Sequence, residues 1–176
     1  MCSSDLEGDV IIGLPSAGLH TNGYTLVREI VFNKLNLNLD THIKDIDSTL
    51  QDALLEIHKS YFPLLKKWAN PTMIHGMAHI TGGGLKGNIK RIIPNHLTAH
   101  IDTNSWDIPS LFRWLMEKGN ISITNAFDAW NMGIGFVVIT SYQNSLEILK
   151  EINGIIIGKI EKAQFSENVF LDFSFK

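Results

Sequence analysis

The sequence predicts a layered αβ domain, and three observations predict it. Short β-branched apolar runs alternate with segments of helical apolar spacing along the whole chain. At 176 residues, 44% hydrophobic and 19% charged, the chain is one ordinary domain, or at most two very small ones. It has ample apolar material for a core, which excludes intrinsic disorder. No internal repeat, low-complexity run or linker interrupts it.

Taken in order, Val10 to Leu14 reads as a buried strand and Pro15 to Gly18 as a turn of small residues. Leu26, Val27, Ile30 and Val31 give a helical period over Gly23 to Lys34, and Thr41 to Asp47 is polar connection. Ser48 with Gln51 forms a capping box that opens a long amphipathic helix, its apolar face Leu50, Ala53, Leu54, Ile57, Tyr61, Leu64, Leu65 and Trp68. Pro63 should kink or break that helix, and Asn70-Pro71 ends it. Met73 to Ile80 is a strand, followed by Thr81-Gly82-Gly83-Gly84 and a helix of two turns up to Ile93, stopped by Pro94. Leu97 to Ile101 is the next strand. Pro109 suits the first turn of a helix that carries Leu111, Phe112, Leu115 and Met116 and closes at Gly119. A short helix over Thr124 to Trp130, a strand over Gly135 to Thr140 and a helix capped by Asn144 and Glu147 follow. Ile155 to Ile160 and Val169 to Phe173 are the last two strands.

Composition removes several function classes. No apolar run approaches the length of a spanning helix. Fifteen basic against eighteen acidic residues give a net charge of -3, and only three of the basic ones are Arg, so a nucleic-acid partner is not expected. The single cysteine, Cys2, excludes an internal disulfide framework and favours a reducing compartment, here the cytoplasm. Met1 to Leu6 lacks the charged and apolar regions of a signal peptide and reads as a lead-in ahead of a domain over residues 7–176.

Gly82-Gly83-Gly84-Leu85-Lys86-Gly87 is a G-x-G-x-x-G run between a strand and a helix, with Asp102 twenty residues on. A dinucleotide site is set aside because Pro94 cuts the helix short, the unit lies mid-chain, and Gly83 makes a triplet. It is not a Walker A loop either, since Asn88 and Ile89 follow Gly87. What stands is a Thr-Gly-Gly-Gly loop leading into a helix, whose N–H groups favour an anion such as phosphate. The same turn also forms with no ligand. Seven histidines raise a metal site, but His75 and His79 lack the H-E-x-x-H pattern and other ligands would come from scattered loops, so none is assigned. His42, His58, His96 and His100 read as surface or packing residues. His20 sits in a loop of small and polar residues, Ser16 to Gly23, that suits a substrate rim, with Asn22 equally suited to cap the helix after it. Asn131-Met132-Gly133-Ile134-Gly135 is a third glycine segment, and the three are candidates to converge on one cleft.

Four stretches together resemble the C-terminal domain of the aminoimidazole ribonucleotide synthetase (phosphoribosylformylglycinamidine cyclo-ligase) family. They are Gly8 to Tyr24, Ala78 to Gly84, Trp106 with Pro109 and its helix, and Asn131 to Gly135. Selenophosphate synthetase and thiamine-monophosphate kinase share the fold but resemble this set less. The resemblance implies an α+β fold, a mixed sheet with packed helices that is partly ferredoxin-like. It implies ATP-dependent closure of the imidazole ring of formylglycinamidine ribonucleotide in purine biosynthesis. His20 and Asn22 then become catalytic cleft residues. His79, Thr81, Gly82, Gly83 and Gly84 become the phosphate loop, joined by Asn131, Gly133 and Gly135. ATP and Mg²⁺ are expected mainly through an N-terminal domain that these residues do not include. That N-terminal half is an expected partner, and the complete enzyme is expected to be a homodimer. Two departures stand out. Ile57-His58-Lys59-Ser60-Tyr61 replaces a Pro-Thr-basic-x-Tyr run, and Trp130 replaces a usual Phe. Without the N-terminal half the chain is expected to be inactive, and the alternative is a stand-alone module that binds phosphorylated nucleotides without chemistry.

Overall fold

The computed structural model describes residues 6–163 and 167–174. The lead-in over residues 1–6, with Cys2, lies outside them except for Leu6, which is buried in the core. A six-stranded sheet runs in the order β4-β6-β1-β7-β5-β8, where β1 is Val10–Pro15, β4 Gly76–His79, β5 Leu97–Asp102, β6 Ile134–Thr140, β7 Ile155–Lys162 and β8 Val169–Asp172. Every pairing is antiparallel except β5 with β8, so the sheet is mixed, as expected. Strands β1, β4, β5 and β8 therefore point one way and β6 and β7 the other. Helix α7 (Tyr142–Ile148) carries the chain from β6 across β1 to β7, a split β-α-β unit of the ferredoxin kind. Two further short strands form a hairpin: β2 (His42–Ile43) lies in the stretch expected to be plain connection and β3 (Ser48–Thr49) where a helix was expected to open.

Strand alternation divides the core in two. On one face Ile11, Ala78, Ile80, Val137, Ile139, Ala99 and Ile101 pack under α1 (Tyr24–Arg28), α4 (Gly84–Ile89), α5 (Ser110–Gly119) and α6 (Ile123–Ala129). Trp130, Phe112 and Phe127 are among the largest fully buried side chains there. On the other face Ile12, Leu14 and Val138 pack against Tyr61 and Leu65, the latter in α3 (Phe62–Leu65), and against Ile148 and Ile152. Beyond one end of β1 and β4, Asp9 and His75 reach across β6, with Asp9 Oδ2 2.6 Å from His75 Nδ1.

Four expectations change. The helix over residues 48–70 is two short ones, α2 (Leu50–Leu54) and α3, with residues 55–61 in neither helix nor strand between them. Pro63 is the reason: it has no N–H and its ring crowds the carbonyl four residues back, so a helix tolerates it only in the first turn, where α3 places it. The cap of α2 is Thr49, whose Oγ1 accepts from the Asp52 N–H at 3.1 Å, rather than Ser48. Unwinding leaves Leu55, Ile57 and Phe62 exposed. The first helix is capped by Gly23 in the left-handed region rather than by Asn22, and its second half, Glu29–Lys34, is π-helical. Ser141, not Asn144, caps α7. No helix among the described residues is long and apolar enough to cross a membrane.

Candidate functional site

Topology sets the position of the site. Since β6 lies between β4 and β1 and runs against both, the ends of β1 and β4 and the start of β6 meet at one sheet edge. The three glycine-bearing loops leave from these points, so they converge.

Asn131 joins the first loop to the third. Its Nδ2 donates to the Gly18 carbonyl at 2.8 Å, while its Oδ1 accepts from Ser16 Oγ at 3.0 Å and from the Gly133 N–H at 2.9 Å. It is buried with both ends of its amide engaged, so it holds the loops in place rather than offering a free group. Trp130 Nε1 adds a bond to the Gly23 carbonyl, and Trp106 Nε1 donates to Met132 O at 2.9 Å. The second loop joins through the Ile80 N–H, which donates to Gly135 O at 3.0 Å.

Asn88, absent from the sequence-based site, shapes the Thr81-Gly84 loop. It is buried, and its Nδ2 lies 3.1 Å from Thr81 O, 3.4 Å from Gly82 O and 2.7 Å from Gly84 O. In a trans peptide the N–H opposes the C=O, so carbonyls drawn toward Asn88 turn the N–H groups of Gly82 and Gly83 the other way. Thr81 Oγ1 donates to Asn88 Oδ1 at 3.0 Å and is engaged within the loop. Gly84 has φ +58°, and a Cβ there would stand 1.8 Å from Phe127 O, so only glycine lets α4 approach α6. The signal for Asn88 was its place one turn into a glycine-opened helix, a weak one by itself.

The imidazoles were harder to foresee. His20, buried and at φ 57°, stacks on His58 with ring centroids 4.0 Å apart, and His58 Nε2 lies 3.1 Å from His79 Nε2. The scattered loops thus bring together three histidines whose ligand atoms lie within 4.8 Å of one another. Gly135 makes the room: a Cβ there would meet Tyr61 Oη at 2.1 Å and His20 Cε1 at 2.5 Å. Tyr61 Oη donates to Pro15 O at 3.0 Å, and burial pushes its ionisation well above the ordinary tyrosine range.

Burial, then the neighbouring His58, His79 and Lys59 charges, lowers the His20 pKa to about 4. Burial first, then His58, also lowers that of His79. His20 is therefore neutral at pH 7. Its Nε2 accepts from the Ala17 N–H at 3.1 Å, which leaves the proton on Nδ1. That Nδ1 and the Nδ2 of Asn22 are buried with no partner among the described residues. Buried donors without acceptors cost about 1–3 kcal/mol each, so these two are poised for a ligand's oxygen. The two residues first assigned to catalysis are thus the loop's unsatisfied donors.

A cavity of about 340 Å³ is lined by the Ser16-Gly18 turn, Asp52, Glu56 and the start of α5.

Residues 7–168 match the family described as AIR synthase related protein, C-terminal domain. The phosphoribosylformylglycinamidine cyclo-ligase of Thermodesulfovibrio yellowstonii is 42% identical over 169 residues, which cover 91% of this chain and 48% of the relative. That of Geobacillus kaustophilus is 41% identical over 160 residues, covering 88% of this chain and 46% of the relative. The chain spans about half the length of the curated relatives it matches. Among solved structures, thiamine-monophosphate kinase from Stenotrophomonas maltophilia has a TM-score of 0.59 at 19% identity, covering 94% of this chain and 50% of its own. The hydrogenase maturation protein HypE of E. coli has a TM-score of 0.59 at 13% identity, covering 98% and 49%. These structural likenesses establish a shared fold.

Proposed function

The chain belongs to the AIR synthase related protein family, as its C-terminal domain, and from that premise we propose that it is one half of a cyclo-ligase that converts formylglycinamidine ribonucleotide to aminoimidazole ribonucleotide with ATP. The observation that carries this reading is the convergence of the three loops on one sheet edge, with unsatisfied donors on His20 and Asn22. The stand-alone binding module is not favoured, since the matched relatives bear the name of the cyclo-ligase.

In this reading ATP phosphorylates the formyl oxygen, the amidine nitrogen closes the ring, and phosphate leaves. Such a reaction is served by positioning and by donors aimed at developing charge. The Gly82 and Gly83 N–H groups receive a phosphate, with His79 beside them. His20 Nδ1–H and Asn22 Nδ2–H hold a substrate oxygen. Asn131, with Gly133 and Gly135, keeps the first and third loops in register. Mg²⁺ takes hard oxygen ligands, and the three loops offer imidazoles and amides without a carboxylate, so these residues do not fit it. ATP and its metal then belong chiefly to an N-terminal half, with which this domain works in the cytoplasm as part of a homodimer.

Residues 1–176 by themselves are expected to release no phosphate from ATP in the presence of substrate. Joined to the N-terminal half of the Thermodesulfovibrio yellowstonii relative, they should turn over, and His20→Ala in that fusion should abolish turnover. Clear activity of residues 1–176 by themselves overturns the half-enzyme reading. Full activity of the His20→Ala fusion overturns the site.

A further inference from the structure

We propose that His58 and His79, with His20 as third ligand, form a binding site for a divalent transition-metal ion of the Zn²⁺ class at the mouth of the loop cluster. The inference stands on geometry alone and does not depend on the activity proposed above; an ion on His20 Nδ1 displaces the donor given there to a substrate oxygen, so the two are alternative occupants.

Zinc–imidazole bonds of 2.0–2.1 Å in a tetrahedral site set neighbouring ligand nitrogens about 3.3 Å apart. The Nε2 atoms of His58 and His79 are 3.1 Å apart, with ring planes inclined at 63°. Two nitrogens that face each other at this distance are already placed as one edge of such a site. Neither side chain is buried beyond reach: His79 is exposed and His58 half-buried. An ion can therefore enter from solvent, and open positions remain for water or a ligand oxygen.

His20 joins at a cost. Its ligand atom lies within 4.8 Å of the others, so it must close by at most about 1.5 Å to reach a tetrahedral edge. Its ring is also stacked on His58, and its Nε2 holds the Ala17 N–H. Ligation through Nδ1 needs the proton on Nε2 and so releases the Ala17 bond. The His58–His79 pair is the anchor, and His20 is the ligand whose capture pulls on the Ser16–Gly23 loop.

The donor set selects the metal. Three imidazoles without a carboxylate suit Zn²⁺, Ni²⁺ or Cu²⁺ and not Mg²⁺ or Ca²⁺. Lys59, whose charge is felt at His20, turns its Nζ to the Pro15 carbonyl at 3.4 Å. His58 stands where the run quoted for the resembling family has Thr, so the site is a property of this chain.

The test is a titration of the purified chain with Zn²⁺ by calorimetry, alongside Co²⁺ followed by its visible absorption. One equivalent of saturable binding is expected, with the intense colour of four-coordinate Co²⁺. His58→Thr and His79→Gln should each weaken binding by at least about tenfold and remove the colour. Both positions reach solvent, so circular dichroism of the variants should match the parent. The distant control His96→Gln should bind as the parent does. Absence of saturable binding by the parent, or binding that survives both substitutions, overturns the site.

Discussion

Histidines stand at both ends of β1 and β4, and the two ends treat them in opposite ways. At one end His75 is tied to the buried Asp9 at 2.6 Å, a contact that fixes it. At the other, His20, His58 and His79 pack on one another with no carboxylate in the cluster, and Nδ1 of His20 has no partner among the described residues. The first end is finished by the fold itself. The second keeps buried donors without acceptors, which is costly to stability unless something binds. The contrast separates a histidine held by a buried carboxylate from histidines gathered around an unsatisfied donor.

The most severe way to break this comparison is at the finished end. Asp9→Ala strands His75 and removes a buried carboxylate, and should cost about 3 kcal/mol in urea unfolding. A loss below about 1 kcal/mol would mean the pair is no staple. At the open end, Gly135→Ala forces a methyl against Tyr61 and His20, and should cost about 2 kcal/mol while leaving the His75 imidazole resonances unmoved. If those resonances shift too, the ends are coupled and the contrast fails.

Acid separates the ends without mutation. The unfolded chain protonates His20 near pH 6.5, the folded chain only at about pH 4. Stability from this group is therefore intact above pH 6.5 and declines as pH falls through that window, by roughly 1–2 kcal/mol once the neighbours relax. Unfolding midpoints of the parent and His20→Asn across this range should converge on acidification. Parallel curves would show that His20 is not held neutral. The smallest effect is expected from His58→Ala, under about 0.5 kcal/mol at pH 7, with the His20 pKa rising because a like charge is gone. An NMR titration reads that rise directly.

Much of the sheet was legible because a buried strand needs a β-branched run, and Val10–Leu14, Ile134–Thr140 and Ile155–Ile160 supply one. The loops were legible as glycine punctuation, and their convergence follows once strand order is known, which local pattern does not contain. His58 was hidden for a specific reason. The apolar period from Leu50 to Trp68 is helical, and a helix would carry His58 away from His20. One proline overrides that period and lays residues 55–61 across the end of β1. Asn88 was hidden because an asparagine inside a short helix looks like an ordinary exposed polar residue, whereas three carbonyls make it a buried brace. The wider helix elements survived with shifted ends, since caps at Thr49 and Ser141 compete with equally good neighbours.

One amide sets a condition on engineering. Asn131 couples Ser16 and Gly18 to Gly133 across more than a hundred residues of chain. The two loops therefore have to be moved as a set. Grafting either loop alone from a homologue will transplant half of a lock, and the recipient will fold with a gap where the other half expected its mate. A recombination library for this domain should place its crossovers so that residues 16–18 and 131–133 always travel from the same parent.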